Sequence, residues 1–169
     1  MQTELTLSVG GLPPLSARGC IQDLQPIPQG KCVRTLTGDL IFIGNPRHKY
    51  KTTVRCSDEN VLATGGLNVG QDVTVGCIQR LCQKVPAHQE AVKVTLEREP
   101  VPGSVSVLAE DKKERLSFQV EGTSVRLAPY ETDAFIFYAP LLHMRVLSFT
   151  LTTDEWKMKT SWTLEMEEI

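Results

Sequence analysis

The sequence predicts an all-β protein, an antiparallel sandwich or barrel with little or no helix. Three observations carry that prediction. Apolar residues recur with a period of two along most of the chain, turn residues return about every 8–12 positions, and no long stretch places apolar side chains at helical spacing. The chain has 169 residues, 41% of them hydrophobic and 22% charged. That suits a single domain spanning 1–169 with its own core, and it excludes collagen, coiled coil and wholesale disorder.

Taken in order, Leu5, Leu7 and Val9 alternate with Glu4, Thr6 and Ser8, so the first strand is half-buried, and Gly10-Gly11 with Pro13-Pro14 ends it. Residues 20–27 are extended and close in a Pro28-Gln29-Gly30 turn, after which residues 32–37 resume β character. Gly38-Asp39 predicts a hairpin into Leu40-Ile41-Phe42-Ile43, and Gly44-Asn45-Pro46 is the next turn. In residues 49–56 the alternation sets Tyr50, Thr52, Val54 and Cys56 on one face. Ser57-Asp58-Glu59-Asn60 breaks the strand. Residues 61–67 have room for one short helical turn, and Gly65-Gly66 argues against anything longer.

Residues 72–85 read as the clearest long strand, with Val73, Val75 and Cys77 on one face, and Val92, Val94 and Leu96 alternate next. Residues 97–104, charged and then rich in proline and glycine, are the best candidate for a linker separating an N-terminal half from a C-terminal β-hairpin region. Beyond them come a short strand at 105–108, a solvated turn at 110–114, alternation of Leu116, Phe118 and Val120, a turn at Gly122-Thr123-Ser124, and a continuation at 125–127. Two strong strands end the chain, 144–151 and 156–166, linked by Thr152-Thr153-Asp154-Glu155. In the last, Trp156, Met158, Thr160, Trp162, Leu164 and Met166 fall on even positions and predict one strongly apolar face.

The formal charge is −2, unevenly spread: residues 1–90 carry 9 basic and 7 acidic groups, net +2, and residues 91–169 carry 9 and 13, net −4. Opposite signs suit head-to-tail packing of identical subunits. The densest basic stretch places Arg47, Lys49, Lys51 and Arg55 on one face of an extended segment. Without an overall basic balance or aromatics interleaved along a groove, nucleic acid is not the expected partner; a solvated face or a subunit contact is. Arg47, Lys49, Tyr50, Lys51, Arg55, Trp156 and Trp162 are therefore the candidate protein-interface residues. The longest uncharged apolar run, residues 134–144, contains Pro140 and His143 and falls short of the roughly 20 residues a spanning helix needs, and residues 1–4 show no basic lead-in to an apolar signal segment. Neither membrane insertion nor export is expected.

The search for chemistry returns no catalytic, cofactor-binding or metal-ligating set. Five cysteines, Cys20, Cys32, Cys56, Cys77 and Cys82, form no Cys-x-x-Cys, and His48, His88 and His143 are scattered, so small buried thiols are the reading preferred over zinc or disulfides. No phosphate-binding glycine fingerprint, nucleophile elbow or His-Glu-x-x-His occurs. The paired carboxylates Asp58-Glu59 and Asp154-Glu155 sit beside turns, where charged side chains are expected to face water. His143, between Leu142 and Met144, reads as a hydrogen-bonded structural histidine, and Trp156 and Trp162 as core before sugar platform.

Several segments carry a resemblance. Leu12-Pro13-Pro14-Leu15-Ser16-Ala17-Arg18-Gly19, with Gln22 and Pro26-Ile27 after it, resembles the opening of small virion proteins of tailed bacteriophages, where a Pro-Pro-x-Ser-Ala-Arg-Gly run precedes an Arg-Thr-x-x-Gly hairpin. Here that hairpin is Arg34-Thr35-Leu36-Thr37-Gly38-Asp39-Leu40. Lys49-Tyr50-Lys51-Thr52-Thr53-Val54-Arg55-Cys56 and Gly70-Gln71-Asp72-Val73-Thr74-Val75-Gly76-Cys77-Ile78 are similar to two further strands of the family, and Thr153-Asp154-Glu155-Trp156 with Ser161-Trp162-Thr163-Leu164-Glu165-Met166-Glu167-Glu168 to its ending. The similarity covers residues 12–82 and 140–169. Lys157-Met158-Lys159-Thr160 and the extra Cys20, Cys32 and Cys82 depart from the pattern, which bears on surface contacts more than on fold.

The resemblance implies a structural component of a tailed bacteriophage virion, of the tail tip, baseplate or neck, assembled in the host cytoplasm. Its implied partners are other virion structural proteins and copies of itself, with no cofactor, small-molecule substrate or enzymatic residue. The alternatives are a capsid decoration protein and a carbohydrate-binding module for host attachment, the last using Trp156, Trp162 or Tyr130.

Overall fold

The computed structural model describes residues 3–110 and 116–169, and among them every regular element is a strand. The strands are β1 (Thr6–Leu7), β2 (Ile21–Arg34), β3 (Leu40–Asp58), β4 (Asp72–Gly76), β5 (Leu81–Val85), β6 (Val92–Thr95), β7 (Ser106–Ala109), β8 (Phe118–Glu121), β9 (Ser124–Leu127), β10 (Ala134–Tyr138), β11 (Leu141–Asp154) and β12 (Lys159–Glu168). The all-β class expected from the period-two pattern is what is found. Residues 111–115, most of the expected solvated turn, lie outside the described residues.

The chain forms two compact units, one of residues 1–3, 7–73 and 143–169, the other of 4–6 and 74–142. The boundary crosses β4 after Val73 and β11 after Leu142. The first unit is built on a six-stranded sheet of order β1-β4-β11-β12-β3-β2. Its register follows the alternation: Trp162 faces Cys56, Leu164 faces Val54 and Met166 faces Thr52, and all six are buried. Ser16, Ala17, Leu62 and Leu67 are buried in the same unit. The expected helical turn at 61–67 does not form; Leu67 N–H instead donates to Thr64 O across a tight turn that Gly66 leaves at φ +85°.

The second unit holds two three-stranded antiparallel sheets, β5-β10-β7 and β6-β9-β8. One apolar cluster draws on both, with Val85, Val107 and Ile136 from the first sheet and Val94, Val125 and Leu127 from the second, which is the sandwich arrangement. The strand expected over 72–85 is in fact two. The chain bends at Ile78-Gln79, so that β4 belongs to the six-stranded sheet while β5 pairs with β10. Residues 97–104, read from composition as a linker, lie inside the second unit and are hydrogen-bonded there: Val101 N–H donates to Ala139 O, and Leu141 N–H to Glu99 O.

Candidate protein interface

The segment that opens the resemblance is a clasp within the first unit. Leu15 sits at φ +63°, a left-handed conformation that turns its carbonyl to accept from Glu59 N–H at 3.1 Å and Asn60 N–H at 2.9 Å. Ser16, fully buried, donates from Oγ to Pro13 O, and its own carbonyl accepts Trp162 Nε1 at 2.8 Å. Arg18 closes on Asp58 through its backbone N–H at 2.9 Å and its guanidinium at 2.9 Å, with Glu59 3.2 Å away. Asp58 is 5% exposed. The expectation that Asp58-Glu59 simply faces water is corrected for Asp58, because the turn aims its carboxylate at four N–H donors, the Arg18 amide, its Nε and Nη2, and the Glu59 amide. The Arg18 guanidinium, with the Arg18 and Glu59 amides, holds the carboxyl well below the usual carboxylate range. The segment thus anchors the turn after β3 and the centre of β12.

The basic candidates divide. Tyr50 is buried with Thr52, Val54 and Cys56, as the alternation required, and its N–H donates to Glu168 Oε2. Its hydroxyl lies 2.9 Å from His48 Nε2. Lys51 and Arg55 point to the opposite face, where Glu165 (3.6 Å) and Asp23 (2.7 Å) pair with them. Such exposed pairs contribute about 0–1 kcal/mol each. Arg47 and Lys49 have no ion-pair partner among the described residues.

The two tryptophans also divide. Trp162 is 1% exposed, in the core, whereas Trp156 is 95% exposed. Placing both on one strand face is corrected by the turn, which falls at residues 155–158 and not at 152–155. Asp154 Oδ1 accepts the N–H of Trp156 and of Lys157, both at 3.1 Å, and Met158 takes φ +51° to bring the chain back. Trp156 and Met158 are therefore carried out of the sheet into solvent. Tyr130, the other aromatic considered for sugar stacking, is buried, and its hydroxyl donates to Pro86 O at 2.8 Å.

A surface that the basic-residue search missed is the distal end of the β2/β3 hairpin. β12 accompanies β3 only as far as the Glu167–Lys51 pair, and beyond it the ribbon has two strands, from the Gln29–Asn45 pair to the Arg34–Leu40 pair. At about 3.3 Å per residue this arm is about 17 Å long before its turn. The turn is well knit: Thr35 N–H donates to Asp39 O, Thr37 Oγ1 to Asp39 Oδ2, and Arg34 Nη1 to Gly38 O. Leu36 at its tip is fully exposed, and Leu40, Ile41, Phe42 and Ile43 are 62%, 44%, 45% and 54% exposed. The signal was present in the sequence, since four consecutive apolar residues cannot all face one core from a strand.

No disulfide joins any of the five cysteines; the expectation of buried thiols holds for Cys56 and Cys77 and is corrected for Cys32 and Cys82, which are exposed, and Cys20, which is half-buried, and no group of three potential metal ligands occurs among the described residues. No helix among the described residues is long and apolar enough to cross a membrane. No protein-family model and no curated protein matches the chain.

Proposed function

We propose that the protein is a structural component of a tailed bacteriophage virion, a tail tip, baseplate or neck subunit that works by binding its neighbours. The observation that carries this reading is the arm, a two-stranded ribbon that keeps four successive apolar side chains in water. A two-stranded hairpin alone is only marginally stable in water, and an exposed apolar edge invites pairing, so such an element is useful where another protein covers it. The bacteriophage assignment rests on the ordered motifs at 12–82 and 140–169, of which the arm's own hairpin is one. The test is to separate heads from tails of the purified particle and identify this chain by mass spectrometry. It is expected in the tail fraction. Recovery with heads would support the decoration alternative, and absence from both fractions would overturn the virion reading.

One observation favours the carbohydrate-binding alternative: Trp156 presents a free indole on a tight turn, a suitable surface for stacking on a sugar ring. In a Trp162→Phe background, host surface glycans should perturb Trp156 emission if that reading holds, and leave it unchanged if it does not.

A further inference from the structure

The arm has two outer edges, and among the described residues neither has a neighbouring strand; the edge of β3 is the one without charge or proline. Thr35 N–H donates to Asp39 O, and Arg34 then faces Leu40. Because facing pairs in an antiparallel ladder alternate between bonded and non-bonded, Ile41, Ile43 and Asn45 direct their N–H and C=O groups toward β2, and Leu40, Phe42 and Gly44 direct theirs outward. Among the described residues, no strand lies on that outward side of β3 before Lys51 meets Glu167. Natural sheets blunt such edges with charge or proline. Pro26 and Pro28 do so on the outer edge of β2, whereas β3 carries neither between Asp39 and Pro46.

We propose that this edge is a self-association site, at which the arms of two copies pair antiparallel about a two-fold axis with Phe42 opposite Phe42 and Leu40 opposite Gly44. In this register all three outward residues of each copy face one another, closing two hydrogen bonds for each of three facing pairs. Charge selects both the direction and the partner. Asp39 begins the uncharged stretch and Arg47 follows it, so antiparallel pairing sets Asp39 of one copy opposite Asn45 and diagonal to Arg47 of the other, about 7–8 Å away. A parallel pair would set Asp39 on Asp39 and Arg47 on Arg47. A two-fold contact of this kind is complete with two copies and does not grow into a fibre. The inference deepens the proposed function, since it assumes that the chain acts through protein contacts, but it stands or falls on different measurements.

The test uses the full chain in light scattering across about 1–100 µM. The wild type should move from one chain mass to two as concentration rises. Phe42→Pro, which removes an outward N–H and no β2 ladder donor, and Phe42→Lys, which opposes two charges, should each weaken the dimer at least tenfold while keeping the wild-type far-ultraviolet spectrum. Register is read by oxidation in a Cys32→Ser/Cys82→Ser background, because Cys32 faces Phe42 within the arm. There Phe42→Cys should cross-link between copies much faster than Leu36→Cys at the tip. A wild type that stays monomeric throughout, lysine and proline variants that dimerise like the wild type, or equal cross-linking from positions 36 and 42 would overturn the proposal. A monomer still found in virions would sink the self-pairing alone, and a dimer absent from virions would sink the virion reading alone.

Discussion

Trp162 couples the N-terminal clasp to the last strand, and replacing it with phenylalanine measures that coupling. The side chain is 1% exposed, and its Nε1 donates to the carbonyl of fully buried Ser16 at 2.8 Å. Trp162→Phe leaves that acceptor without its donor, at a cost of about 1–3 kcal/mol. It also opens a void smaller than the one behind the roughly 3–5 kcal/mol of full truncation to alanine, adding about 1–2 kcal/mol. The total is about 3 kcal/mol, which at a urea slope of about 2 kcal/mol per molar lowers the midpoint by about 1.5 M. Trp156→Phe is the internal control: the side chain is 95% exposed, so its change should stay within about 0.5 kcal/mol, or about 0.25 M. Midpoints are read by far-ultraviolet circular dichroism, and native emission provides a second readout. The tryptophan left in Trp156→Phe should emit to the blue and the one left in Trp162→Phe to the red. Equal midpoint shifts for the two variants, or blue emission from Trp162→Phe, would refute the placement of the turn at 155–158 and the clasp with it.

Acid should loosen the first unit through Asp58. Its carboxyl is held below its unfolded value, so the unfolded chain binds the proton more readily. The stabilisation is full above about pH 4 and drains away as pH falls through the lowered value; Asp72 beside Arg145 and Asp133 beside Lys84 act with the same sign. Asp58→Asn should therefore flatten the decline in urea midpoint between about pH 5 and 2, and an unchanged slope would remove Asp58 from the account. Thiol reactivity should sort by burial: Cys32, exposed on the arm, reacts with an aromatic disulfide reagent in the native state, whereas Cys56, its thiol pushed up to about 12 chiefly by burial and also by its hydrogen bond with Cys20, reacts only on unfolding. Simultaneous reaction of all five thiols would contradict that order. In the second unit, Ile136→Ala at a fully buried position should cost about 2–5 kcal/mol, and Leu36→Ser at the arm tip about nothing, as measured by urea midpoints.

Alternation made much of this fold legible. The buried faces of β3, β4 and β12, the hairpin at Gly38-Asp39 and the short β8/β9 hairpin all follow from period two with turn residues between, because those strands bury one face and wet the other. Two errors share one physical origin. Residues 72–85 read as extended throughout, with Val73, Val75 and Cys77 on one face, yet the chain changes sheets at Ile78-Gln79; Trp156 and Met158 continue the apolar parity of β12, yet Asp154 caps a turn that lifts them away. A side-chain pattern reports where a residue could lie on a pleat, not whether the ladder continues. The clasp was hidden for a different reason. Its work is done by the carbonyls of Leu15 and Ser16 and the N–H of Arg18, and backbone groups leave no trace in residue type. Among the interface candidates, the charges of Lys51 and Arg55 are already answered by their neighbours Glu165 and Asp23, and the arm, whose hairpin the alternation predicts, has no charge between Asp39 and Arg47 to single it out as a contact surface.

The discontinuity of the first unit has a consequence for the order in which the protein can be made. Residues 51–58 of β3 wait for residues 160–167 of β12, so Cys56 and its facing Trp162 leave the ribosome 106 positions apart, from 162 − 56. At about 5–20 residues per second that interval is about 5–20 s. The second unit, contiguous over 74–142, is complete before β12 has been synthesised. For those seconds the nascent chain holds the bare apolar face of β3, and a chain broken off before residue 159 would carry one complete unit and one whose sheet lacks β12.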